Sequence, residues 1–184
     1  MNSQLFSLSA REMTEKDIPL ICKYWLENDD EFLRGMGVDI QKLPDRKGLT
    51  HMLLEQIQTA YKDKAAYATI WQQGEEAIGH CNVNGIKYGE QAFVHLHIWA
   101  SELRQKGMGE ILVKKSLPYF FENLALKNLF CQPYAKNPSP NKTLEKIGFE
   151  FVKTYRTIPG SLNFEQEVNM WVLTKEKYQK ITLP

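Results

Sequence analysis

The stretch from Ala92 to Val113 constrains the fold more than any other part of this 184-residue chain. Its first half, Phe93 to Trp99, is short and rich in β-branched and aromatic residues, which predicts a strand with one apolar and one mixed face. Gly107 and Gly109 follow where the strand must turn, and apolar residues then recur at roughly helical spacing. Unpartnered N–H groups at such a turn, together with the positive end of the helix dipole, form a socket for phosphate oxygens.

The glycine spacing separates this turn from two common phosphate loops. It has neither the three glycines of a dinucleotide site nor the Gly-Lys-Ser/Thr of a P-loop, because the run is Arg104-Gln-Lys-Gly-Met-Gly109. Arg-x-x-Gly-x-Gly after a strand resembles the pyrophosphate loop of the GNAT superfamily of N-acetyltransferases, which bind acetyl-coenzyme A. A later segment, Asn137 to Phe149, is similar to a helix of that family that starts with Asn and ends in Lys-x-Gly-Phe. The resemblance covers about residues 65 to 158 well and the first sixty only in outline.

Length and composition predict one domain spanning residues 1–184, because no linker or composition shift marks a second. The 23 basic and 22 acidic residues give a net charge of +1, so nothing indicates a nucleic-acid or membrane partner. Three cysteines without paired spacing, no apolar leader and no metal motif predict a reduced, cytoplasmic protein without a metal site. A monomer and a homodimer are both compatible with the sequence.

Periodicity and turn residues predict the elements around the central stretch. These are a first strand at Leu5–Met13, a helix after Thr14, a short helix and loop ending at Pro44, a helix at Leu49–Tyr61, strands at Ala65–Gln72 and Ala77–Asn84, a strand at Asn128–Cys131, a helix at Pro138–Ile147, and a hairpin of Phe149–Thr157 and Phe164–Thr174. The resemblance implies an α/β (α+β) fold with a mixed, mostly antiparallel sheet flanked by helices. In that fold, two central parallel strands splay apart and the pantetheine arm enters the gap.

The resemblance also implies how the cofactor is held. The turn would bind pyrophosphate, a bulge in the central strand would aim a free N–H near Ile98 or Trp99 at the thioester carbonyl, and asparagines of the later helix would bond the pantetheine. The implied cofactor-binding residues are Ile98, Trp99, Arg104, Gln105, Lys106, Gly107, Met108, Gly109, Asn137 and Asn141. Asn137 has a structural explanation as well, since Asn is a favoured N-cap.

Two histidines of the central strand, His95 and His97, lie two residues apart and therefore on one face. An amine must lose a proton when it attacks a thioester, and imidazole titrates close enough to neutrality to take it. His95 is the first candidate for this catalytic base and His97 the second. The alternative is that both are structural histidines bonded to their neighbours.

A general acid does not carry over from the family. The positions where members have Tyr or Ser are Leu144 and Pro140 in this sequence. Tyr134 or Ser139 is a candidate substitute. Release of the thiolate into water without an acid is also acceptable chemistry, since a thiol with a pKa of about 8.5 is a fair leaving group.

An acidic run, Asp29, Asp30 and Glu31, falls in the segment that forms one wall of the acceptor site in the family. It is either a solvated helix start or a substrate-binding group for a cationic acceptor. The predicted function is transfer of acetyl from acetyl-coenzyme A to a primary amine, on a small molecule or a peptide, by direct attack in a ternary complex. Two alternatives remain: acetylation of hydroxylated amines in siderophore assembly, and a catalytically degenerate coenzyme A binder that regulates a partner.

Overall fold

A seven-stranded sheet organises the computed structural model, with the strand order β1-β2-β3-β4-β5-β7-β6. The structure describes residues 8–104 and 107–184. The strands are β1 (Leu8–Glu12), β2 (Ala66–Gln73), β3 (Glu76–Lys87), β4 (Gln91–Ile98), β5 (Asn128–Cys131), β6 (Glu150–Thr157) and β7 (Gln166–Thr174). The helices are α1 (Ile18–Leu26), α2 (Asp30–Gly35), α3 (Arg46–Gln58), α4 (Met108–Pro118), α5 (Pro138–Ile147) and α6 (Lys175–Tyr178), and a π-helical turn at Tyr119–Asn123 continues α4.

The parallel pair β4–β5 is short. It runs only from Gln91 opposite Asn128 to Phe93 opposite Phe130, whereas the other neighbouring strands of the sheet are antiparallel. Beyond Phe93 the two strands are no longer paired, and a gap opens between their carboxyl ends. The predicted fold class, a mostly antiparallel sheet with one splayed parallel pair, is confirmed.

Each face of the sheet packs against different helices because β4 alternates in side-chain direction. Val94 of the apolar row packs in a core with Leu112 of α4 and Leu144 of α5. The mixed row faces the other way, where His97 contacts Tyr24 of α1. The two histidines therefore lie on the face of α1 and α2.

The predicted bulge near Ile98 is wrong. The β3–β4 pairing runs unbroken from Gly79 opposite Ile98 to Asn84 opposite Phe93, and its register shift lies at the other end, between Asn84 and Lys87. Any free backbone donor at the end of β4 must therefore arise from the splay. The element bounds otherwise agree within a few residues, and the predicted first strand begins in residues 5–7, which lie outside the described part of the chain.

Candidate active site

A cleft of about 310 Å³ lies where β4 and β5 separate. Its walls come from the end of β4, the first turns of α4 and α5, and two aromatic residues of α1 and α2. The residues that line it are Tyr24, Phe32, Met36, Trp71, Leu96, His97, Ile98, Arg104, Gly107, Gly109, Glu110, Asn137, Ser139, Pro140, Thr143 and Lys146. The splay and the glycine turn, predicted separately, thus meet in one cavity.

The start of α4 presents the backbone of Gly107 and Gly109 to this cleft, and Glu110 of the same turn also lines it. Gly107 is the N-cap of α4 with φ of 77°, a left-handed conformation that glycine adopts freely and other residues do not. The helix begins at Met108, whose side chain is buried in the core, so only its backbone N–H is available for an anion. Gln105 and Lys106, two predicted cofactor contacts, lie outside the described residues.

The Arg104 side chain connects the glycine turn to the end of β4 by hydrogen bonds. Its Nε donates to the carbonyl of Ile98 at 3.1 Å, and an Nη donates to the carbonyl of Trp99 at 2.9 Å. The guanidinium also lies 4.0 Å from the ring centroid of Phe32, a cation–π distance. These contacts give Arg104 a structural role, and direct binding of the cofactor by Arg104 stays a prediction.

The β4 ladder shows which backbone donors face the gap. The N–H of Trp99 donates to the carbonyl of Ile78 on β3 at 2.9 Å, so this group is occupied. Because alternate residues of an antiparallel strand direct their N–H groups to opposite neighbours, those of Leu96 and Ile98 point to the β5 side. The carbonyl of Val94, which accepts from the Cys131 thiol at 3.1 Å, marks that same side. Ile98 is therefore the better placed of the two predicted carbonyl donors.

The two predicted asparagines begin α5 in different ways. Asn137 is the N-cap, its Oδ1 accepting from the N–H of Ser139 at 3.3 Å, and it lines the cleft. Asn141 donates to the carbonyl of Asn137 at 2.8 Å and accepts at Oδ1 from Trp171 at 2.8 Å and from Asn169 at 3.0 Å. Its side chain therefore ties α5 to β7, and its contact with a cofactor stays a prediction.

A second cavity, of about 100 Å³, adjoins the cleft; we call it the side pocket. It shares Met36, Leu96, His97, Asn137 and Pro140 with the cleft. Its other lining residues are Val94, His95, Cys131, Gln132, Pro133, Tyr134, Pro159, Asn163 and Gln166. Two ligands, one in each cavity, would meet at the residues that the cavities share.

The loops that close the side pocket are bonded to each other. The N–H of Asp39 donates to the carbonyl of Leu162 at 2.8 Å. The carbonyl of Gly37 accepts from Asn163 Nδ2 at 2.9 Å and from Gln166 Nε2 at 3.0 Å. The segment after α2 and the β6–β7 connection therefore form one wall.

The two candidate bases differ in position. His97 is 9% exposed and lines both cavities, whereas His95 lines only the side pocket. His97 Nδ1 lies 3.2 Å from the Tyr24 hydroxyl, and its ring stacks on His80 with centroids 4.5 Å apart. His95 Nε2 is buried without a hydrogen-bond partner among the described residues. His97 therefore has structural contacts with Tyr24 and His80, whereas His95 has one ring nitrogen without a hydrogen-bond partner among the described residues.

Burial keeps all three imidazoles of this cluster uncharged. Loss of solvation lowers the pKa of His95 to about 4 and the pKa of His80 to about 3, and it holds the pKa of His97 well below its ordinary value. At neutral pH each ring is therefore a free base, and its lowered pKa makes it a weaker base than the imidazole titrating near neutrality that the sequence predicts. His80 was not predicted; its Nδ1 accepts from Trp99 Nε1 at 2.7 Å, a contact between strands that the sequence does not reveal.

Asp29 of the acidic run is the N-cap of α2. Its Oδ1 accepts from the N–H groups of Glu31 at 2.8 Å and Phe32 at 3.1 Å. None of Asp29, Asp30 and Glu31 is among the described residues that line the two cavities. These contacts agree with the solvated helix start, and binding of a cationic acceptor by the run stays a prediction.

The four positions considered for a general acid differ in their access to the two cavities. Leu144 is fully buried in the core, and Pro140 lines both cavities. Tyr134 lines the side pocket and Ser139 lines the cleft, so both substitutes border a cavity.

The described residues hold no cluster of three or more metal-ligating side chains, and none of their helices is long and apolar enough to cross a membrane.

A splayed sheet with a glycine turn at the mouth of its gap is the arrangement that the sequence resemblance implies for an acyltransferase. The family model of the acetyltransferase (GNAT) domain matches residues 8–150, and the chain belongs to this GNAT family of acetyltransferases. A search of curated protein sequences found no match.

Solved structures share the fold at low identity. One is a spermidine N-acetyltransferase from Vibrio cholerae, solved with CoA and spermine, which is 20% identical, with 97% of this chain and 99% of that chain covered and a TM-score of 0.76. Another is RimL, a ribosomal L7/L12 α-N-protein acetyltransferase in complex with coenzyme A, at 12% identity, with 93% and 96% covered and a TM-score of 0.75.

Proposed function

We propose that this protein transfers acetyl from acetyl-coenzyme A to a primary amine by direct attack in a ternary complex. The observation that carries the proposal is the common boundary of the two cavities, formed in part by Leu96 and His97. A thioester in the cleft and an amine in the side pocket would be held in contact there. Holding two reactants in line replaces a bimolecular encounter and supplies much of the rate.

The residues of the cleft fit coenzyme A. The N–H groups at the start of α4, beside Gly107 and Gly109, suit a pyrophosphate, and the N–H of Ile98, which points to the β5 side beyond the last paired residues of β4 and β5, suits the carbonyl of a thioester. The coenzyme supplies an activated acetyl group. No described cysteine is placed to form an acyl-enzyme, because all three are buried, and burial raises the pKa of Cys131, which borders the side pocket, to about 12.

The reaction needs one proton removed and one supplied. The amine nitrogen bonds to the acetyl carbon as the carbon–sulfur bond breaks, an imidazole of β4 takes the amine proton, and the sulfur leaves as a thiolate that takes up a proton. His95 is the first candidate for the imidazole, because its Nε2 is unpartnered, and His97 is the second.

Free cysteines also support the predicted cytoplasmic location, and the oligomeric state stays open.

The two neighbouring structures belong to enzymes that are named for different amine acceptors. One is named for spermidine and the other for the α-amine of a ribosomal protein. A hydroxylated amine remains the second candidate, because a buried acceptor atom in the side pocket, Gln166 Oε1, could take a hydrogen bond from its hydroxyl.

Free-thiol release from acetyl-coenzyme A tests the proposal. We expect saturable release with at least one unmodified primary amine and a higher kcat/KM for it than for the matching N-hydroxylated amine. Coenzyme A affinity measured by calorimetry on the same sample gives the control. Micromolar or tighter binding of coenzyme A without thiol release, over a panel of small amines and peptides, would leave the regulatory binder as the explanation.

A further inference from the structure

The side pocket contains a buried acceptor atom that nothing in the described chain satisfies. Gln166, the first residue of β7, is 3% exposed, and its Nε2 donates to the carbonyls of Gly37 at 3.0 Å and Phe164 at 3.3 Å. Because a carbonyl can only accept, these two bonds fix the orientation of the side-chain amide. Its Oε1 is then the free end, and this atom is buried without a partner among the described residues.

The absence of a side chain at Gly37 allows this arrangement. A Cβ at Gly37 would fall 2.1 Å from Gln166 Oε1 and 2.5 Å from Nε2, so the side-chain amide rests directly on the glycine backbone. Gly37 also has φ of 85°, where a side chain would be strained. The unpaired oxygen is therefore held in a defined place by the fold.

A second unpartnered atom, His95 Nε2, belongs to a residue that lines the same pocket. Buried polar atoms in native proteins nearly always have partners, and exceptions call for an explanation such as a ligand. Two such atoms on residues around one small cavity indicate that a polar ligand completes it. An N–H of the reacting amine would supply the missing hydrogen bond to His95 Nε2. Gln166 Oε1 is then left for a second donor group on the same amine molecule.

The side pocket carries no formal charge. Its described lining residues include no Asp, Glu, Lys or Arg, and burial keeps its two histidines and the Cys131 thiol neutral. A second ammonium group placed here would lose its hydration with no carboxylate in return, which is strongly unfavourable. A side-chain amide oxygen, in contrast, accepts well from a neutral N–H or O–H.

We propose that the acceptor is a small primary amine with an uncharged body that carries an N–H or O–H group, and that this group donates to Gln166 Oε1. The inference rests on the proposed acetyl transfer and names the acceptor class for it. Amino alcohols and α-amino amides, such as a peptide amino terminus, share this chemistry, since two carbons separate the amine from the donor in each. A polyamine does not fit the class.

Four commercial amines test the class on the unmodified protein. Ethanolamine and glycinamide carry the donor, propylamine has the size of ethanolamine without it, and putrescine carries a second ammonium. We expect kcat/KM for ethanolamine or glycinamide to exceed that for propylamine at least tenfold, with putrescine lowest, because a site built to bond a donor rejects analogues that lack it. The comparison of ethanolamine with glycinamide shows whether a hydroxyl or an amide N–H is the preferred donor.

A variant pair assigns the preference to its residue. Gln166→Met keeps the length of the side chain and removes the Oε1 acceptor together with the Nε2 bonds to Gly37 and Phe164, so the ratio of kcat/KM between the preferred donor amine and propylamine should fall to about one. Gln179→Met, the same change at an exposed position after α6, should leave that ratio unaltered.

Equal kcat/KM for ethanolamine, glycinamide and propylamine, or the highest value for putrescine, would overturn this inference and leave amine acetylation standing. Thiol release with none of the amines, in the series or in the wider panel, would overturn both. Should Gln166→Met fail to fold, the amine series on the unmodified protein decides the matter alone.

Discussion

The two histidines of β4 share a strand face and yet differ in what their removal would do. His97 contacts the Tyr24 hydroxyl and stacks on His80, so its loss would leave buried groups without partners. His95 Nε2 has no partner to lose among the described residues. Truncation at the two positions should therefore separate a chemical role from a structural one.

We expect His95→Ala to lower kcat by roughly 10²- to 10⁴-fold, the usual contribution of a general base. Coenzyme A affinity and the melting temperature should change little, because no hydrogen bond of the described chain depends on Nε2. Steady-state kinetics, calorimetry with coenzyme A and thermal melts measure the three quantities. His97→Ala is the matched variant, and its melting temperature should fall by more, since removing one partner of a buried bond costs about 1–3 kcal/mol.

The opposite pattern would change the assignment. If His95→Ala melts several degrees lower and, where folded, turns over near the rate of the unmodified protein, His95 is structural. The kinetic test then passes to His97, which lines both cavities.

At the scale of elements, the start of α4 contains two glycines with different requirements. Gly107 has φ of 77°, so its difficulty with a side chain is conformational. Gly109 lies within the helix, and a Cβ there would meet Thr143 Cγ2 at 3.7 Å, an ordinary contact. A single methyl group is therefore tolerated at Gly109, while a branched side chain would extend into the cleft that Gly109 lines.

Gly109→Val should weaken coenzyme A binding at least tenfold, with the fold largely intact, because its added carbons would occupy the space where phosphate approaches the backbone. Gly109→Ala is the control and should bind more tightly than the valine variant. Gly107→Val should also weaken binding and in addition destabilise the protein, by about 1–2 kcal/mol for the left-handed conformation. Calorimetry and denaturant unfolding measure both effects. Unchanged affinity in folded Gly109→Val would remove the phosphate site from this turn.

Elements with strong end signals were predicted to the residue. β5 and α5 have the predicted bounds, and for α5 the reason is visible, since Asn137 caps its start and Gly148 ends it with φ of 109°. The third helix was predicted to start at Leu49 and starts at Arg46, because Asp45 caps it by accepting from the N–H of Gly48. The bulge was wrong because it was taken from the family resemblance, whereas here the ladder with β3 continues past Ile98 to the bond from the Trp99 N–H to the carbonyl of Ile78.

The site was predictable only where it lies on one continuous segment. The glycine turn and the two histidines come from a single stretch, and their grouping follows from strand and helix geometry. Gln166 of the side pocket is hydrogen-bonded to Gly37, which is 129 positions away in the sequence, and no sequence periodicity links the two residues. His80 was missed for the same reason, since only the pairing of β3 with β4 sets it opposite His97.

At the scale of the whole molecule, three uncharged imidazoles couple stability to pH. His80, His95 and His97 have lowered pKa values in the folded protein, whereas in the unfolded chain an imidazole titrates near its ordinary value of about 6.5. As pH falls below that value, the unfolded chain takes up protons that the folded protein does not. The stabilisation is therefore complete above about pH 6.5 and is lost progressively toward pH 4.

We expect the free energy of unfolding in urea to fall between pH 7.5 and pH 5, with a limiting slope of about 1.4 kcal/mol per pH unit for each imidazole. Stopping at pH 5 keeps most carboxylates outside the titrated range. His51→Gln, at an exposed position of α3, should keep the slope, and His80→Gln should reduce it. A stability that stays level from pH 7.5 to pH 5 would contradict neutral burial of these rings.

The carbonyl of Gly37 is one of the groups that join two segments far apart in the sequence. It accepts from Asn163 and Gln166, so the loop after α2 and the β6–β7 connection each lose hydrogen bonds when the other is altered. Under the proposed acceptor site, a change in one segment alone would remove hydrogen bonds that the other segment makes, so selection for a new acceptor should alter both segments together. Exchanging loops between relatives should therefore transfer a new specificity only when the two segments are exchanged as a pair.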